Sequence, residues 1–443
     1  MHPVFRNADG TTRILKIWDQ SINGNPPDGY RIGSVYDSDT INQAILANES
    51  ERYNIVPSRD FSGHGTHVAG IMAGNFAANR NNSIGIATKS PLLVVKLGKA
   101  EQGGYPLTSE LIQAVDFVIR QAGQYGMPVA INLSYGNTYG SHDGTSLVET
   151  FIDAVIQQWK SVICIGTGNE GNAAGHTSGY LTIGDSQNVQ LTVGGYQQAF
   201  SIQIWKQYQD KFDIYLRGAT GSNYVLINSS SGTARYNIDN NTVLVYYGEP
   251  SPYSPFQEIY IDILPNGDYV TEGIWQIELV PIKIVNGRYD MWLPASQVLS
   301  SNTRFVRPNP DTTLTIPSAT LGAISVGGYD SRNMSFADFS GRGYTRLVDI
   351  VKPDIVAPAV DINSSEPGGG MGTRSGTSMA TPFVTGSAAL LMEWGIVRGN
   401  DSYLYGEKVK SYLISGAKGL PGEPIPSARQ GWGALCVRDS IPI

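Results

Sequence analysis

Cysteine is scarce in this chain, which has two among 443 residues. Two cysteines cannot build the disulfide framework of a small secreted scaffold, and the sequence leaves open whether Cys164 and Cys436 pair. Cys164 lies in the apolar run 162–165, which favours a role as a small buried hydrophobic residue. The fold must therefore be stabilised by its hydrophobic core, and hydrophobic residues make up 41% of the chain.

Charge is also scarce, since charged residues are 16% of the chain and the formal net charge is -7. This acidic balance argues against nucleic-acid binding, which requires a basic face. No continuous apolar run approaches the length that spans a bilayer, so no membrane partner is predicted. The first residues show no signal-peptide pattern. With 51 glycines, the composition is typical of a loop-rich globular protein.

Residues 1–186 alternate between strand and helix patterns. Short apolar runs predict strands at 92–97, 129–133 and 162–165. Helices are predicted after Ser109, as an N-cap, and over 147–159. Repeated βαβ units of this kind predict an α/β domain whose parallel sheet has helices on both faces.

Residues 187–305 have a different pattern, with no helical period. Apolar and polar residues alternate in several runs separated by turns, with apolar members Phe200, Ile202, Ile204, Phe212, Ile214, Leu216, Ile259, Ile261, Ile263, Trp275, Ile277 and Leu279. This pattern predicts an antiparallel β-sandwich or jelly roll. The α/β pattern returns over 306–443, with a strand at 323–326 and a helix beginning near Thr377. The β-domain is therefore predicted to be inserted within one α/β domain.

Three residues have the chemistry and local sequence for acyl transfer. Ser378 follows a glycine at the start of a predicted helix, where backbone N–H groups can stabilise a negative charge. His64, in a glycine-rich segment, is a base that can activate a serine hydroxyl. Asn169 lies on a glycine turn, where its amide can donate a second hydrogen bond to an oxyanion.

Each of these residues also has a structural interpretation. His64 and His67 could form a metal pair, but no further ligand cluster accompanies them, so we expect neither a metal nor a cofactor. A Gly-Thr-Ser sequence is often only an N-cap, and Asn-Glu-Gly is an ordinary turn sequence. The three segments are ambiguous separately, but their joint presence in this order favours catalysis.

The segments His-Gly-Thr-His-Val-Ala-Gly from His64 and Gly-Thr-Ser-Met-Ala-Thr-Pro from Gly376 resemble the subtilase family without a break. The resemblance covers about 1–186 and 306–443. It implies a subtilisin-like fold and a serine endopeptidase acting on a protein or peptide substrate. It also implies that Ser134, Tyr135 and Gly136, with residues 103–105, bind an extended substrate. Gly166, Thr167 and Gly168 would line the pocket for the residue before the cleaved bond.

An inserted jelly roll between Asn169 and Ser378 resembles the Csp-type subtilases of clostridia. That resemblance implies a spore-associated or secreted protein, with its own N-terminal segment or propeptide as a further partner. Some members of the group have lost triad residues and act as non-enzymatic partners. The alternative function is therefore a non-catalytic binding or regulatory protein on a subtilase scaffold.

The catalytic aspartate is the one part of the pattern that the sequence does not place. In subtilases it precedes a His-Pro pair, and the pair here is His2-Pro3. The expectation is therefore an aspartate upstream of residue 1, on a longer gene product or a separate processed peptide, or a degenerate protein. Asp19 is a candidate substitute, with Asp9 and Asp60 less favoured. Without the aspartate, activity should fall by roughly 10⁴-fold.

Overall fold

The computed structural model describes residues 2–75, 85–98, 106–221, 223–249, 254–347 and 350–441. Within these residues the helices are α1 (Ser38–Leu46), α2 (Glu49–Ile55), α3 (His64–Ala73), α4 (Thr108–Tyr125), α5 (Leu147–Ile156), α6 (Thr377–Met392), α7 (Glu407–Ser415) and α8 (Val437–Ser440). Short 3₁₀ turns lie at Pro3–Phe5 and Ser296–Val298, and one π-helical turn, Glu393–Val397, extends α6.

The strands before the inserted domain are β1 (Ile14–Asp19), β2 (Ser34–Asp37), β3 (Leu92–Lys96), β4 (Val129–Leu133) and β5 (Ser161–Gly166). The antiparallel strands that follow are β6 (His176–Tyr180), β7 (Gln187–Val193), β8 (Phe200–Gln207), β9 (Lys211–Arg217), β10 (Val225–Ile227), β11 (Thr233–Ile238), β12 (Asn241–Tyr247), β13 (Phe256–Pro265), β14 (Gly273–Lys283), β15 (Arg288–Trp292) and β16 (Arg304–Phe305). The last strands are β17 (Ile324–Asp330), β18 (Ser335–Phe336), β19 (Ile355–Pro358), β20 (Ile362–Glu366) and β21 (Gly370–Arg374).

The α/β part is built on parallel strand pairs. β4, β5, β17 and β19 form consecutive parallel pairs, and β1 pairs in parallel with β3. The helices α4 and α5 pack together against β4 and β5 through Leu111, Val115, Ile152 and Ile163. The strands predicted at 92–97, 129–133 and 162–165 are confirmed to within a residue at each end. The helix predicted near Thr377 begins at that residue.

The N-terminal strand β1 has a partner on each side, β2 in antiparallel and β3 in parallel orientation. β1 ends at the fully buried Asp19. β3 and β4 belong to separate sheets, and no described strand pairs with both of them. The strand that carries the aspartate, expected before residue 1, therefore stays a prediction. The His2-Pro3 pair lies before β1, where the Val4 carbonyl accepts from Asn75 N–H just after α3.

Two antiparallel sheets make up the inserted part. Their strand orders are β10-β9-β14-β7-β16 and β11-β12-β13-β8-β15-β6. The predicted alternation is confirmed, because Ile259, Ile261 and Ile263 of β13 are fully buried in one core with Trp275 and Ile277 of β14. β6 belongs to this sandwich through its pairing with β15, although it precedes the predicted boundary at residue 187.

The segment Thr377–Val397 is long and apolar enough to cross a membrane by length and composition. It comprises α6 and its π-helical extension, and 61% of the most apolar window is buried inside the protein. α6 packs against β4, β5 and β17, so its apolar character reflects its place in the core.

Three stacked rings join the sandwich to the α/β part. Trp292 at the end of β15 lies between His142 and His176, with ring centroids 4.1 and 4.7 Å apart. His176 faces the buried Asp290 carboxylate, which also pairs with Arg288 and Arg346.

Both His142 ring nitrogens lie near carbonyl oxygens, those of Leu314 and Thr138. Burial dominates and lowers the pKa of His142 to about 4.

We expect His142 to make the protein less stable at mildly acidic pH. Its folded pKa lies below the ordinary value near 6.5, so the unfolded chain binds the extra proton as the pH falls from about 7 to about 4. This histidine should remove about 3 kcal/mol of the free energy of unfolding over that range. Urea unfolding across pH measures the effect, and the His142→Gln variant should lose that part of the slope. An unchanged slope in the variant would contradict the burial argument.

The core of the sandwich should be sensitive to truncation. Ile261→Ala removes a fully buried side chain and should lower the free energy of unfolding by about 2–5 kcal/mol. Ile274 of β14 is 50% exposed, so Ile274→Ala is a matched control that should cost less than about 1 kcal/mol. Equal losses in the two variants, measured by chemical denaturation, would be inconsistent with this core.

Candidate active site

Helix α3 lies between the β1–β3 strands and α6. Ala73, the last residue of α3, packs with Ile14 and Leu92, which begin β1 and β3. α3 therefore runs antiparallel to β1. Six strand residues span about 17 Å and ten helical residues about 14 Å, so the lengths nearly match. The N-terminus of α3 accordingly lies toward the carboxyl end of β1.

The start of α6 lies beside the start of α3. Met379, next to Ser378, packs in one small cluster with Val68 and Ile71 of α3. His64 is the first residue of α3 and Ser378 is the second residue of α6. The structure therefore brings His64 and Ser378 to neighbouring helix N-termini.

The turn before α3 is fixed by Asp60. Its carboxylate accepts from Gly63 N–H at 2.9 Å, from Thr66 N–H at 2.8 Å and from the Thr66 hydroxyl at 2.8 Å. Gly63 has a φ of 74°, a left-handed conformation that favours glycine. Asp60, one of the less favoured aspartate candidates, thus anchors the helix N-terminus. Asp9, the other, is an exposed turn residue that accepts from Thr11.

His64 itself is partly buried. Burial lowers the pKa of its imidazole, the Arg374 guanidinium lowers it further, and the Asp60 carboxylate opposes these effects. A lowered pKa keeps the ring neutral near pH 7, which is the state that a general base requires. The His64 ring makes no hydrogen bond to another residue in the described part of the chain. Its position in this structure is therefore set by packing and by the anchored turn.

Ser378 has the backbone setting of a nucleophile at a helix N-terminus. Gly376 has a φ of 147°, a conformation open to glycine, and leads into the first turn of α6. The first N–H groups of a helix lack intrahelical acceptors, so the N–H of Ser378 can serve an external acceptor. The carbonyl of Ser378 accepts from the Ser134 hydroxyl at 3.0 Å.

Asn169 is hydrogen-bonded directly to Thr377, the residue before Ser378. Its Oδ1 accepts from Thr377 N–H at 3.0 Å and from the Thr377 hydroxyl at 3.3 Å. The same hydroxyl accepts from Gly168 N–H at 3.1 Å. Because Oδ1 is engaged, the Asn169 amide nitrogen is the group left to donate, and it lies near Gly376. Asn169 and the start of α6 thus converge where an oxyanion hole requires donors.

The Asp19 carboxylate is buried at the carboxyl end of β1. Its Oδ1 accepts from Ser21 N–H at 2.9 Å and from the Ser21 hydroxyl at 2.5 Å. Its Oδ2 accepts from the Ser58 hydroxyl at 2.7 Å and from Lys96 Nζ at 3.1 Å. Burial alone would raise the pKa of Asp19, but these hydrogen bonds outweigh it and hold the pKa below its usual value.

The predicted substrate-binding residues line the adjoining strands and loop. Ser134, Tyr135 and Gly136 directly follow β4, and the Tyr135 hydroxyl donates to the Pro106 carbonyl. Gly166 ends β5, Thr167 is buried, and Gly168 has a φ of 84°. A Cβ on Gly166 would lie 2.9 Å from the Thr381 hydroxyl of α6. Residues 103–105, predicted to pair with a substrate, lie outside the described residues.

Sequence reasoning missed three groups around the site. Lys96 and Ser58 bind Asp19, and they are recognisable only through the pairing of β1 with β3 and the course of the loop before α3. The β20–β21 hairpin also lies here. Its Arg374 pairs with Glu366 and donates to the Ser62 carbonyl, just before His64. The spacing of Arg374, four residues before Ser378, was the available signal.

A family model matches most of the chain. Residues 10–280 and 298–433 match the model of the subtilase family. The chain is a subtilase. The matched region begins before β1, so the strand ending at Asp19 lies within it.

Two solved structures are similar to this chain. The solved structure of the Clostridium perfringens CspB protease has a TM-score of 0.90 and 36% identity, covering 99% of this chain and 89% of CspB. This similarity agrees with the resemblance to Csp-type subtilases. Sphericase, with a TM-score of 0.50 and 16% identity, shares the fold.

Curated relatives match over smaller parts. The minor extracellular protease Vpr of Bacillus subtilis is 23% identical over 413 residues, which is 87% of this chain. Pyrolysin of Pyrococcus furiosus is 40% identical over 118 residues. The aligned parts span 46% of the length of Vpr and 8% of pyrolysin.

Proposed function

We propose that this subtilase is a serine endopeptidase in which Ser378 is the nucleophile and His64 the general base. The observation that carries the proposal is that the N-termini of α3 and α6 lie side by side, with Asn169 hydrogen-bonded to the start of α6. The triad aspartate stays an expectation upstream of residue 1, with the buried Asp19 as the candidate substitute.

The chemistry follows from these positions. His64 takes the proton of the Ser378 hydroxyl as its oxygen attacks the peptide carbonyl. A triad aspartate would orient the imidazole and stabilise the imidazolium that forms. The Asn169 amide and the Ser378 N–H donate to the oxyanion. His64 then returns the proton to the leaving amine, and water hydrolyses the acyl-enzyme by the same steps.

The substrate is a protein or peptide bound in extended form along residues 134–136. Backbone groups of such a segment add the substrate to the sheet as a further strand. Gly166, Thr167 and Gly168 would lie beside the side chain that precedes the cleaved bond. The chain's own N-terminal segment or propeptide stays a predicted partner.

The two candidate positions of the triad aspartate can be separated by substitution. Asp19→Asn retains the size of the side chain but loses its charge, so kcat for a peptide substrate would fall by roughly 10⁴-fold if Asp19 were the substitute and should change little if the aspartate lies upstream. Ser378→Ala should abolish labelling by a serine-directed fluorophosphonate. Asp9→Asn, at an exposed turn, is the matched control and should behave as the wild type.

Each variant must first show the wild-type melting transition. If folded Asp19→Asn retained full activity, the triad aspartate would lie elsewhere, as on an upstream segment. A folded wild-type chain that neither turns over substrates nor labels at Ser378 would favour the alternative, a non-catalytic protein on a subtilase scaffold.

The oxyanion role of Asn169 gives a separate expectation. Asn169→Ala removes one donor that acts mainly on the transition state, so kcat should fall by about 10²–10³-fold with little change in KM. Asn172→Ala, at an exposed position three residues later, should leave both constants unchanged. A change confined to KM in Asn169→Ala would instead assign the amide to substrate binding.

A further inference from the structure

Arg374 joins the two chain segments that lead to the proposed base and to the proposed nucleophile. It is the last residue of β21 and lies four residues before Ser378. Its Nη2 donates to the Ser62 carbonyl at 2.9 Å, and Ser62 lies two residues before His64. One side chain therefore links the strand that leads into α6 to the turn that leads into α3.

Glu366 of β20 holds the Arg374 guanidinium in place. Arg374 Nε donates to Glu366 Oε1 at 2.7 Å, and Arg374 Nη2 donates to Glu366 Oε2 at 2.8 Å. This two-point geometry fixes the plane of the guanidinium, and a lysine cannot reproduce it. A Cβ on Gly63 would lie 2.5 Å from both Arg374 Nη2 and Glu366 Oε2, so the ion pair lies directly against the residue before His64.

The rest of the β20–β21 hairpin is hydrogen-bonded to the first turn of α3. The Ser365 hydroxyl donates to the Thr66 carbonyl at 2.9 Å. His67 Nε2 lies 3.1 Å from the Gly372 carbonyl of β21. These contacts hold the helix itself against the hairpin, whereas Arg374 holds the turn that precedes the helix.

We propose that Arg374 is a positioning residue for the proposed catalytic pair, whose guanidinium fixes the turn before His64 against the strand that leads to Ser378. This proposal rests on the roles of His64 and Ser378 given under Proposed function. The hydrogen bonds of Arg374 described above go to Ser62 and Glu366, so Arg374 acts on His64 through the turn and through its charge.

Arg374 is also the nearest influence on the charge state of His64 after burial. Its guanidinium lowers the pKa of the His64 imidazole. The Asp60 carboxylate raises that pKa, and His67, on the same helix, lowers it. Glu366 is paired with Arg374, and α6 contributes no charged residue. The Arg374 charge is therefore the cationic part of this setting that a single substitution removes.

Loss of the Arg374 charge should make the protonated form of His64 more stable. A protonated imidazole cannot act as the base, and the acid limb of kcat/KM reports its titration in the free enzyme. Removal of the guanidinium should therefore move this limb to higher pH. A bond that only held the turn would change the rate without moving the limb. The ion pair of Asp19 and Lys96, at the ends of β1 and β3, is the same in every variant.

The experiment compares Arg374→Met, Arg374→Gln and Arg374→Lys with the wild-type chain. In the Met and Gln variants we expect the acid limb of kcat/KM to rise by about 0.3–1 pH unit, because the side chain is 30% exposed and water screens its charge. Arg374→Lys retains the charge without the two-point geometry, so the limb should stay near its wild-type position while kcat falls by about 10-fold. Arg398→Gln removes an exposed, ion-paired arginine of the π-helical turn and should change neither quantity.

An NMR titration of His64, assigned with a His64→Gln variant, gives a readout that needs no turnover. A higher His64 pKa in Arg374→Gln supports the role of Arg374 even if the chain proves inactive, a result that would defeat only the proposed function. If Arg374→Met fails to fold, Arg374→Gln carries the test. Coincident titration curves, or an unchanged kcat in all three variants of an active chain, would overturn the role of Arg374.

Discussion

The antiparallel packing of α3 against β1 is the constraint on which the site depends. Because Ala73 packs at the start of β1, and because helix and strand have nearly equal lengths, the start of α3 lies toward the carboxyl end of β1. α6 packs on the other side of α3 through Met379, which brings Ser378 beside the start of α3. Apolar contacts well below the surface thus set the relative positions of the polar groups.

Burial and hydrogen bonds together set the pKa values of Asp19, Asp60 and His64. Asp60 accepts the free N–H groups at the start of α3, and Asp19 is kept ionised by two serines and a lysine. The Asp60 carboxylate anchors the start of α3, whereas the Asp19 carboxylate is held at the end of β1. The pKa of His64 is lowered, first by burial and then by the Arg374 guanidinium, and this favours the neutral imidazole.

Much of this could be predicted from the sequence, because His64, Asn169 and Ser378 lie in segments whose glycines and small residues identify them locally. The alternation of Ile259, Ile261 and Ile263 likewise predicted the sandwich. The sequence does not place the triad aspartate, because Gln20 follows Asp19 in place of the expected Ser/Thr-Gly and because Asp19 comes after His2-Pro3. Lys96 is 77 residues from Asp19 in sequence and adjacent only through the β1–β3 register, which no local pattern reveals.

The measurement that tests the account most directly is a crystal structure of the enzyme phosphonylated at Ser378. The adduct mimics the tetrahedral intermediate, in which the catalytic hydrogen bonds of serine hydrolases tighten. We expect His64 Nε2 within about 2.6–3.2 Å of the Ser378 oxygen. The Asn169 amide should lie within about 3 Å of the phosphonyl oxygen. A His64 ring out of hydrogen-bond reach of Ser378, or an Asn169 amide turned away from the phosphonyl oxygen, would contradict the proposed roles.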